Sequence, residues 1–190
     1  MCGIFGYILQ EDRIDDRESF NESFAKSLEH RGPDDYGYYQ NNNSLIGNTR
    51  LSIIDIEKGH QPIVSDDEDI IVDQNGEIYN FIEVKHELLN LGHCFETDSD
   101  TEVILEAYKK WGESFVYKLN GMFAIALIDK NKNRLFLYRD RLGVKPLYLY
   151  QKGDDFLFSS EIKAFLKYDK FDKTINDQAI CDFLVLNYVP

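Results

Sequence analysis

The residue at position 2 could carry out covalent chemistry. Cys2 follows Met1 and precedes Gly3, and a small second residue permits removal of Met1. Removal would give Cys2 a free α-amine beside its thiol. The thiolate is the reactive form of cysteine, and an α-amine with a pKa of about 7.7–8.0 is partly neutral at pH 7. Cys2 could therefore supply both a nucleophile and its general base.

Other positions carry polar groups that a site could use, although each alone also has a structural explanation. The Asn75-Gly76 dipeptide is typical of a type I′ hairpin turn, but it could also offer two hydrogen-bond donors. Arg50 could bind a carboxylate through its planar guanidinium or form a surface ion pair. Asp100 could bind an ammonium group or stabilise the first turn of a helix. Cys2 is open to the same doubt, because many chains begin with Met-Cys.

Periodic apolar residues predict helices and strands in separate runs. Ser99 with Glu102, and Asn80 with Glu83, mark two expected helix starts. Strands in runs, with helices grouped between them, indicate an α+β fold rather than alternating βαβ units. The predicted helices cover 16–29, 80–91, 100–111, 160–167 and 179–186. The predicted strands cover 2–9, 36–40, 44–55, 69–74, 121–130, 133–140, 147–151 and 156–160.

Composition excludes several classes of protein. The 190 residues are 43% hydrophobic, which suits one folded domain rather than a disordered chain. A formal net charge of -13 argues against nucleic acid and anionic lipid as partners. The absence of a signal peptide or a long apolar stretch predicts no membrane association and a cytoplasmic location. The cysteine spacing fits no zinc pattern, so we expect no metal site, with Cys94 and Cys181 as buried thiols.

A series of short sequence blocks, in order from residue 2 to about 164, favours the functional explanation of these polar residues over the structural one. The chain resembles the N-terminal glutaminase domain of asparagine synthetases, a branch of the class II glutamine amidotransferases. The resemblance implies an Ntn-hydrolase fold, a four-layer αββα sandwich with two stacked antiparallel sheets. The blocks are CGIFG from Cys2, HRGPD from His30, RLSIID from Arg50, QP from Gln61, NGEIYN from Asn75, DTEVI from Asp100, GMFA from Gly121, RDRLGVKPLY from Arg139 and SSEIKA from Ser159.

The resemblance also implies roles for individual residues. Cys2 would attack the side-chain amide of glutamine, and the Asn75 side chain and the Gly76 N–H would form the oxyanion hole. Arg50 would bind the α-carboxylate of the substrate, and Asp100 would bind its α-ammonium. The main chain near Ile53 and Glu77 would assist that binding. We expect structural contacts and no catalytic step from His30, Arg31, Arg139, Asp140, Arg141, Lys145 and Glu161.

The implied reaction is hydrolysis of glutamine through a γ-glutamyl thioester on Cys2, with no cofactor for this half. Residues 1–170 would form the glutaminase domain, and 171–190 would be a linker and the start of an ATP-dependent synthetase domain. ATP and Mg²⁺ are expected only for that second domain, which would use the ammonia to convert aspartate to asparagine. We also allow for a homodimer.

Alternatives to this assignment remain open. The acceptor of the ammonia could be another molecule, such as a sugar acid. The chain could instead serve purine or aminosugar synthesis, although the wording of the HRGPD, NGEIYN and GVKPLY blocks points away from that branch. It could also be a non-catalytic glutamine-binding module, although Cys2, Asn75 and Asp100 are all present.

Overall fold

A computed structural model describes residues 2–10 and 16–189, and its described strands form two antiparallel sheets. The first sheet has the strand order β2-β3-β1-β9-β8, and the second has the order β4-β5-β6-β7. The strands of the first sheet are β1 (Gly3–Ile8), β2 (Asp35–Asn41), β3 (Ser44–Arg50), β8 (Tyr148–Lys152) and β9 (Asp155–Ser159). Those of the second are β4 (Ile63–Val64), β5 (Ile70–Ile78), β6 (Gly121–Asp129) and β7 (Arg134–Arg139).

Helices cover the outer faces of both sheets. They are α1 (Arg17–Lys26), α2 (Phe81–Asn90) and α3 (Asp100–Trp111), with 3₁₀ segments at Glu29–Arg31, Gly112–Lys118 and Ile162–Lys167. A fourth helix, α4 (Asp177–Leu186), has no buried residues. The predicted helix at 160–167 is therefore a 3₁₀ segment. The short strand β4 was not predicted.

Alternation along the strands divides the buried side chains into three layers. In β1, Phe5 and Tyr7 face α1, whereas Ile4 faces the second sheet. In β5, Ile71 lies between the sheets and Val72 faces α2 and α3. The result is helix, sheet, sheet, helix, so the α+β fold and its two stacked antiparallel sheets are confirmed.

The Asn75-Gly76 pair does not form the turn that its residue types favour. Both residues lie inside β5, where Asn75 pairs with Ala124 and Gly76 pairs with Phe123 of β6. A Cβ atom on Gly76 would lie 2.3 Å from the Met122 carbonyl oxygen, so the close approach of β6 requires glycine here. The strand predicted at 69–74 is consequently four residues too short at its carboxyl end.

Further expectations are corrected by local contacts. The strand predicted at 44–55 ends at Arg50, and the segment after it is irregular. The Asn80 side chain does not cap α2; it accepts from the Asn120 N–H and donates to the Lys118 carbonyl. Cys94 and Cys181 are exposed rather than buried.

Residues 2–10 and 16–189 contain neither a membrane-spanning helix nor a metal-binding cluster. None of the helices there is long and apolar enough to cross a membrane. The same residues contain no group of three or more His, Cys, Asp or Glu side chains that could hold a metal ion.

Candidate active site

Cys2 lies immediately before β1, and its thiol faces the backbone of the segment that follows β3. The Sγ atom accepts from the Leu51 N–H at 3.4 Å and lies 3.7 Å from the Leu51 carbonyl oxygen. Burial raises the pKa of the Cys2 thiol, and the hydrogen bond from Leu51 opposes that rise. Burial therefore disfavours the thiolate, and a base close to Sγ would assist its formation.

A cluster of charged side chains fixes the backbone of Cys2. Arg31 Nε donates to the Cys2 carbonyl oxygen at 2.9 Å, and Arg31 Nη1 donates to Glu161 at 3.0 Å. His30 and Lys163 also contact Glu161. Burial raises the pKa of Glu161, but its hydrogen bonds to Arg31, His30 and Lys163 outweigh burial and lower the pKa to about 2. Arg31 and Glu161 thus have a structural role, because together they hold the backbone of Cys2, the predicted nucleophile.

The two proposed oxyanion donors sit in the middle of β5. Asn75 is 1% exposed, and its Nδ2 lies 3.5 Å from Ser160 Oγ. Its Oδ1 has no hydrogen-bond partner among the described residues. Ser160 is held in turn by the Ile4 N–H, which donates to Ser160 Oγ at 2.9 Å. Asn75 therefore presents a side-chain amide that the resting structure uses only weakly.

Arg50 is buried at the end of β3, so the alternative of a surface ion pair is wrong. Its side chain is 3% exposed and donates to backbone carbonyls of the segment after β3. Nη2 donates to the carbonyls of Ile54 at 2.9 Å and Asp55 at 2.8 Å, and Nη1 reaches that of Ile56 at 3.4 Å. Arg50 thus shapes this segment as well as supplying a positive charge.

Asp100 is the first residue of α3, and its carboxylate faces β5. Ser99 caps the helix by accepting from the Thr101 N–H at 3.1 Å. Asp100 Oδ2 accepts from the Ile78 N–H at 3.0 Å and from Gln74 Nε2 at 2.7 Å. Burial raises the pKa of Asp100, and these two hydrogen bonds lower it.

All the residues predicted for the site line one pocket that encloses about 650 Å³, its solvent-open mouth included. A positive and a negative side chain, a thiol and two potential hydrogen-bond donors therefore face one space. The sequence predicted no catalytic or substrate-binding role for the other lining residues. The predicted residues are Cys2, Arg50, Ile53, Asn75, Gly76, Glu77 and Asp100, and the others are Leu51, Ile54, Gly59, Gln61, Gln74, Ser99, Met122 and Lys145.

The sequence held a signal for some of the missed residues. Gln61 and Lys145 belong to the QP and RDRLGVKPLY blocks, and Gln74 directly precedes Asn75. Lys145 is held by its turn: its N–H donates to Asp140 Oδ2 at 3.0 Å, and its carbonyl accepts from Arg139 Nε at 2.8 Å.

Comparison with known proteins gives consistent matches. Residues 1–190 match a family model described as a glutamine amidotransferase domain. A putative asparagine synthetase (glutamine-hydrolyzing) 2 of Methanocaldococcus jannaschii is 43% identical over 100% of this chain and 40% of its own length. Asparagine synthetase (glutamine-hydrolyzing) 1 of Bacillus subtilis is 39% identical over 100% of this chain and 30% of its own. Asparagine synthetase B of Escherichia coli is 38% identical over 86% of this chain and 30% of its own.

Solved structures share the fold at lower sequence identity. The glutamine phosphoribosylpyrophosphate amidotransferase of Bacillus subtilis, complexed with ADP and GMP, matches with a TM-score of 0.73 and 23% identity. The match covers 86% of this chain and 43% of that one. The chain spans less than half the length of each of these relatives.

Proposed function

Since the chain belongs to the glutamine amidotransferase domain family, with the features of the N-terminal glutaminase domain of asparagine synthetases, we propose that it hydrolyses glutamine to glutamate and ammonia with Cys2 as the nucleophile. The observation that carries the proposal is the shared pocket of Cys2, Asn75, Arg50 and Asp100. These side chains supply a thiol, an oxyanion donor and one charge of each sign for a zwitterionic amino acid.

The two charged side chains suit the two charged groups on the α-carbon of the substrate. A guanidinium carries five N–H donors, and the three carbonyl contacts of Arg50 leave others for the α-carboxylate, so Arg50 takes that group. Asp100 takes the α-ammonium, and the main chain at Ile53 and Glu77 completes the pocket. Because both charges are buried, their interaction with a bound zwitterion is screened less than at the surface.

The reaction proceeds in two steps once Met1 has been removed. The α-amine of Cys2 takes the thiol proton, and Sγ forms a bond with the amide carbon of glutamine. Asn75 Nδ2 and the Gly76 N–H stabilise the negative oxygen. The carbon–nitrogen bond then breaks, and the nitrogen leaves with the transferred proton as ammonia.

The second step returns the enzyme to its starting state. Water adds to the γ-glutamyl thioester and the bond between Sγ and carbon breaks, which releases glutamate and restores the thiol. Neither step needs a cofactor. Burial disfavours the thiolate form of Cys2, so a base on the same residue assists its formation.

The ammonia serves a second reaction in this proposal. The relatives are named asparagine synthetases and are much longer than this chain, which supports a C-terminal ATP-dependent domain that converts aspartate to asparagine. Residues 1–170 then form the glutaminase domain, and 171–190 lead into the synthetase domain, where ATP and Mg²⁺ act. A different acceptor, such as a sugar acid, is the alternative. A cytoplasmic location, which the sequence predicts, is part of this proposal.

Replacement of Cys2 tests the proposal. Cys2→Ala should abolish release of glutamate while leaving glutamine binding measurable by calorimetry. Cys94→Ala and Cys181→Ala are matched controls, because both thiols are exposed and lie outside the pocket. Intact mass must first show that Met1 is absent from every preparation. Substantial glutamate release by Cys2→Ala would refute the nucleophile, and loss of binding would favour a purely structural Cys2.

A further inference from the structure

Gln74 belongs to the pocket but has no part in the reaction described above. It directly precedes Asn75 in β5, so its side chain points to the opposite face of the strand, towards α3. The residue is 2% exposed and lines the pocket. A buried amide next to the proposed oxyanion residue and opposite a buried carboxylate needs a physical explanation.

The contacts of Gln74 connect it to Asp100. Gln74 Nε2 donates to Asp100 Oδ2 at 2.7 Å, and the Ile78 N–H donates to the same oxygen at 3.0 Å. Two donors on Oδ2 restrict the rotation of the carboxylate. The Gln74 N–H donates to Gln61 Oε1 at 2.7 Å, which anchors the residue from its other side.

We propose that Gln74 is a positioning residue for recognition of the α-ammonium group: it orients the Asp100 carboxylate so that Oδ1 contacts the ammonium of an α-amino acid. This inference rests on the proposed function, since it assumes that the pocket binds glutamine. Gln74 touches Asp100 rather than the substrate, so it controls which molecules bind and not the bond that breaks.

The hydrogen bond also has an electrostatic role. Burial raises the pKa of Asp100 and the neighbouring Glu77 raises it further, whereas the hydrogen bonds from Ile78 and Gln74 lower it. An ammonium group binds the ionised carboxylate, so each donor that favours the anion strengthens binding at a given pH. Without Gln74, Asp100 would titrate at a higher pH.

The test compares two ligands that differ only in the group Asp100 is proposed to bind. Glutaramate is glutamine without its α-amino group. Calorimetry on Cys2→Ala and on Cys2→Ala combined with Gln74→Met measures both ligands without turnover. Methionine has a similar length but no donor. We expect the Kd of glutamine to rise about tenfold to a hundredfold, as for loss of a hydrogen bond to a charged group. The Kd of glutaramate should change less than about twofold.

A variant whose side chain at position 74 regains a hydrogen-bond donor on protonation distinguishes the orientation of Asp100 from the effect of side-chain size. Gln74→Glu places two carboxyl groups together, and the pair takes up one proton as the pH falls. Glutamine binding should be weak at pH 8 and recover as the pH falls and the new carboxyl group is protonated. Gln40→Met is the control, because Gln40 Oε1 accepts from Asn21 Nδ2 at 2.7 Å outside this pocket. It should leave both dissociation constants unchanged.

The outcomes distinguish this proposal from the one on which it rests. Equal weakening of glutamine and glutaramate by Gln74→Met, or no weakening of either, would overturn the role of Gln74. Selective weakening of glutamine supports it even if the processed chain proves unable to hydrolyse glutamine. Absence of hydrolysis would overturn the proposed reaction alone.

Discussion

Replacing Asn75 with alanine should remove a proposed oxyanion donor and little else. Asn75 Nδ2 lies 3.5 Å from Ser160 Oγ, at the outer limit of a hydrogen bond, and Oδ1 has no partner among the described residues. The side chain therefore makes little use of its amide in the resting structure. Its main interaction would form only when the amide carbon of glutamine becomes tetrahedral.

The expected loss of activity follows because the Asn75 amide would be used in the transition state and hardly at all in the resting structure. Loss of one oxyanion donor typically lowers kcat about 10²–10³-fold, or about 2.7–4 kcal/mol of transition-state stabilisation. KM should stay close to the wild-type value, because an interaction confined to the transition state lowers kcat and kcat/KM equally. An ordinary hydrogen bond contributes about 0.5–1.5 kcal/mol to stability, and the 3.5 Å contact of Asn75 should contribute no more than that.

The assay is steady-state release of glutamate, together with urea unfolding of each variant. Asn48→Ala is a control at another buried asparagine, since Asn48 is also fully buried and lies in a strand, where its side chain faces Asp73. It does not line the pocket. Asn48→Ala should therefore retain wild-type kcat, even though it also removes a buried amide from a strand.

Three results would refute the reasoning about Asn75. A rise in KM with unchanged kcat would show that the amide binds the ground state. A kcat within about threefold of wild type would exclude an oxyanion donor, since such donors contribute much more. An equal loss in Asn48→Ala would trace the effect to the strands rather than to the donor.

The remaining predictions concern charge, processing and pH. Asp100→Asn should raise KM for glutamine by the equivalent of about 2–5 kcal/mol in steady-state assays, since it removes one charged partner of the zwitterion; unchanged kcat/KM would place the ammonium elsewhere. Chains shown by mass spectrometry to retain Met1 should release no glutamate, because the Cys2 nitrogen is then an amide and cannot act as a base; full turnover by such chains would refute the mechanism. Burial raises the pKa of Asp73 well above its usual value, so above the unfolded pKa the folded chain holds a proton that the unfolded chain has lost, and the free energy of unfolding falls with rising pH. Asp73→Asn removes the titrating group, so the free energy of unfolding of this variant in urea should rise relative to that of the wild type from pH 4 to pH 8. A difference that stays constant over this range would contradict a raised pKa for Asp73.

Local sequence signals predicted the elements whose determinants lie within a few residues. The helix expected at 100–111 matches α3, because Ser99 starts it and its apolar stripe repeats with the helical period. The same reasoning placed Asp100 in the first turn of that helix. What it could not supply is the direction of the carboxylate, which depends on Gln74 and Ile78 in a strand far from α3 in the sequence.

Distant contacts explain the errors in the strands. Asn75-Gly76 has the residue types of a turn, but pairing with β6 keeps it extended, and only that neighbouring strand reveals why position 76 is glycine. The apolar run after Arg50 has the composition of a strand. It stays irregular because the buried guanidinium binds its carbonyls, which are then unavailable to a neighbouring strand.

The predicted reacting and binding residues were found from their chemistry and from a resemblance, whereas the positioning residues became visible only through hydrogen bonds. Arg31 donates a hydrogen bond to the Cys2 carbonyl and Gln74 donates one to Asp100, and neither contact can be predicted from the residue type. Both contacts join elements that only the fold brings together. A substitution at such a position would leave every reacting group present and still change their geometry. Variants at Gln74 therefore probe how the fold creates selectivity, while variants at Cys2 probe only whether the reaction occurs.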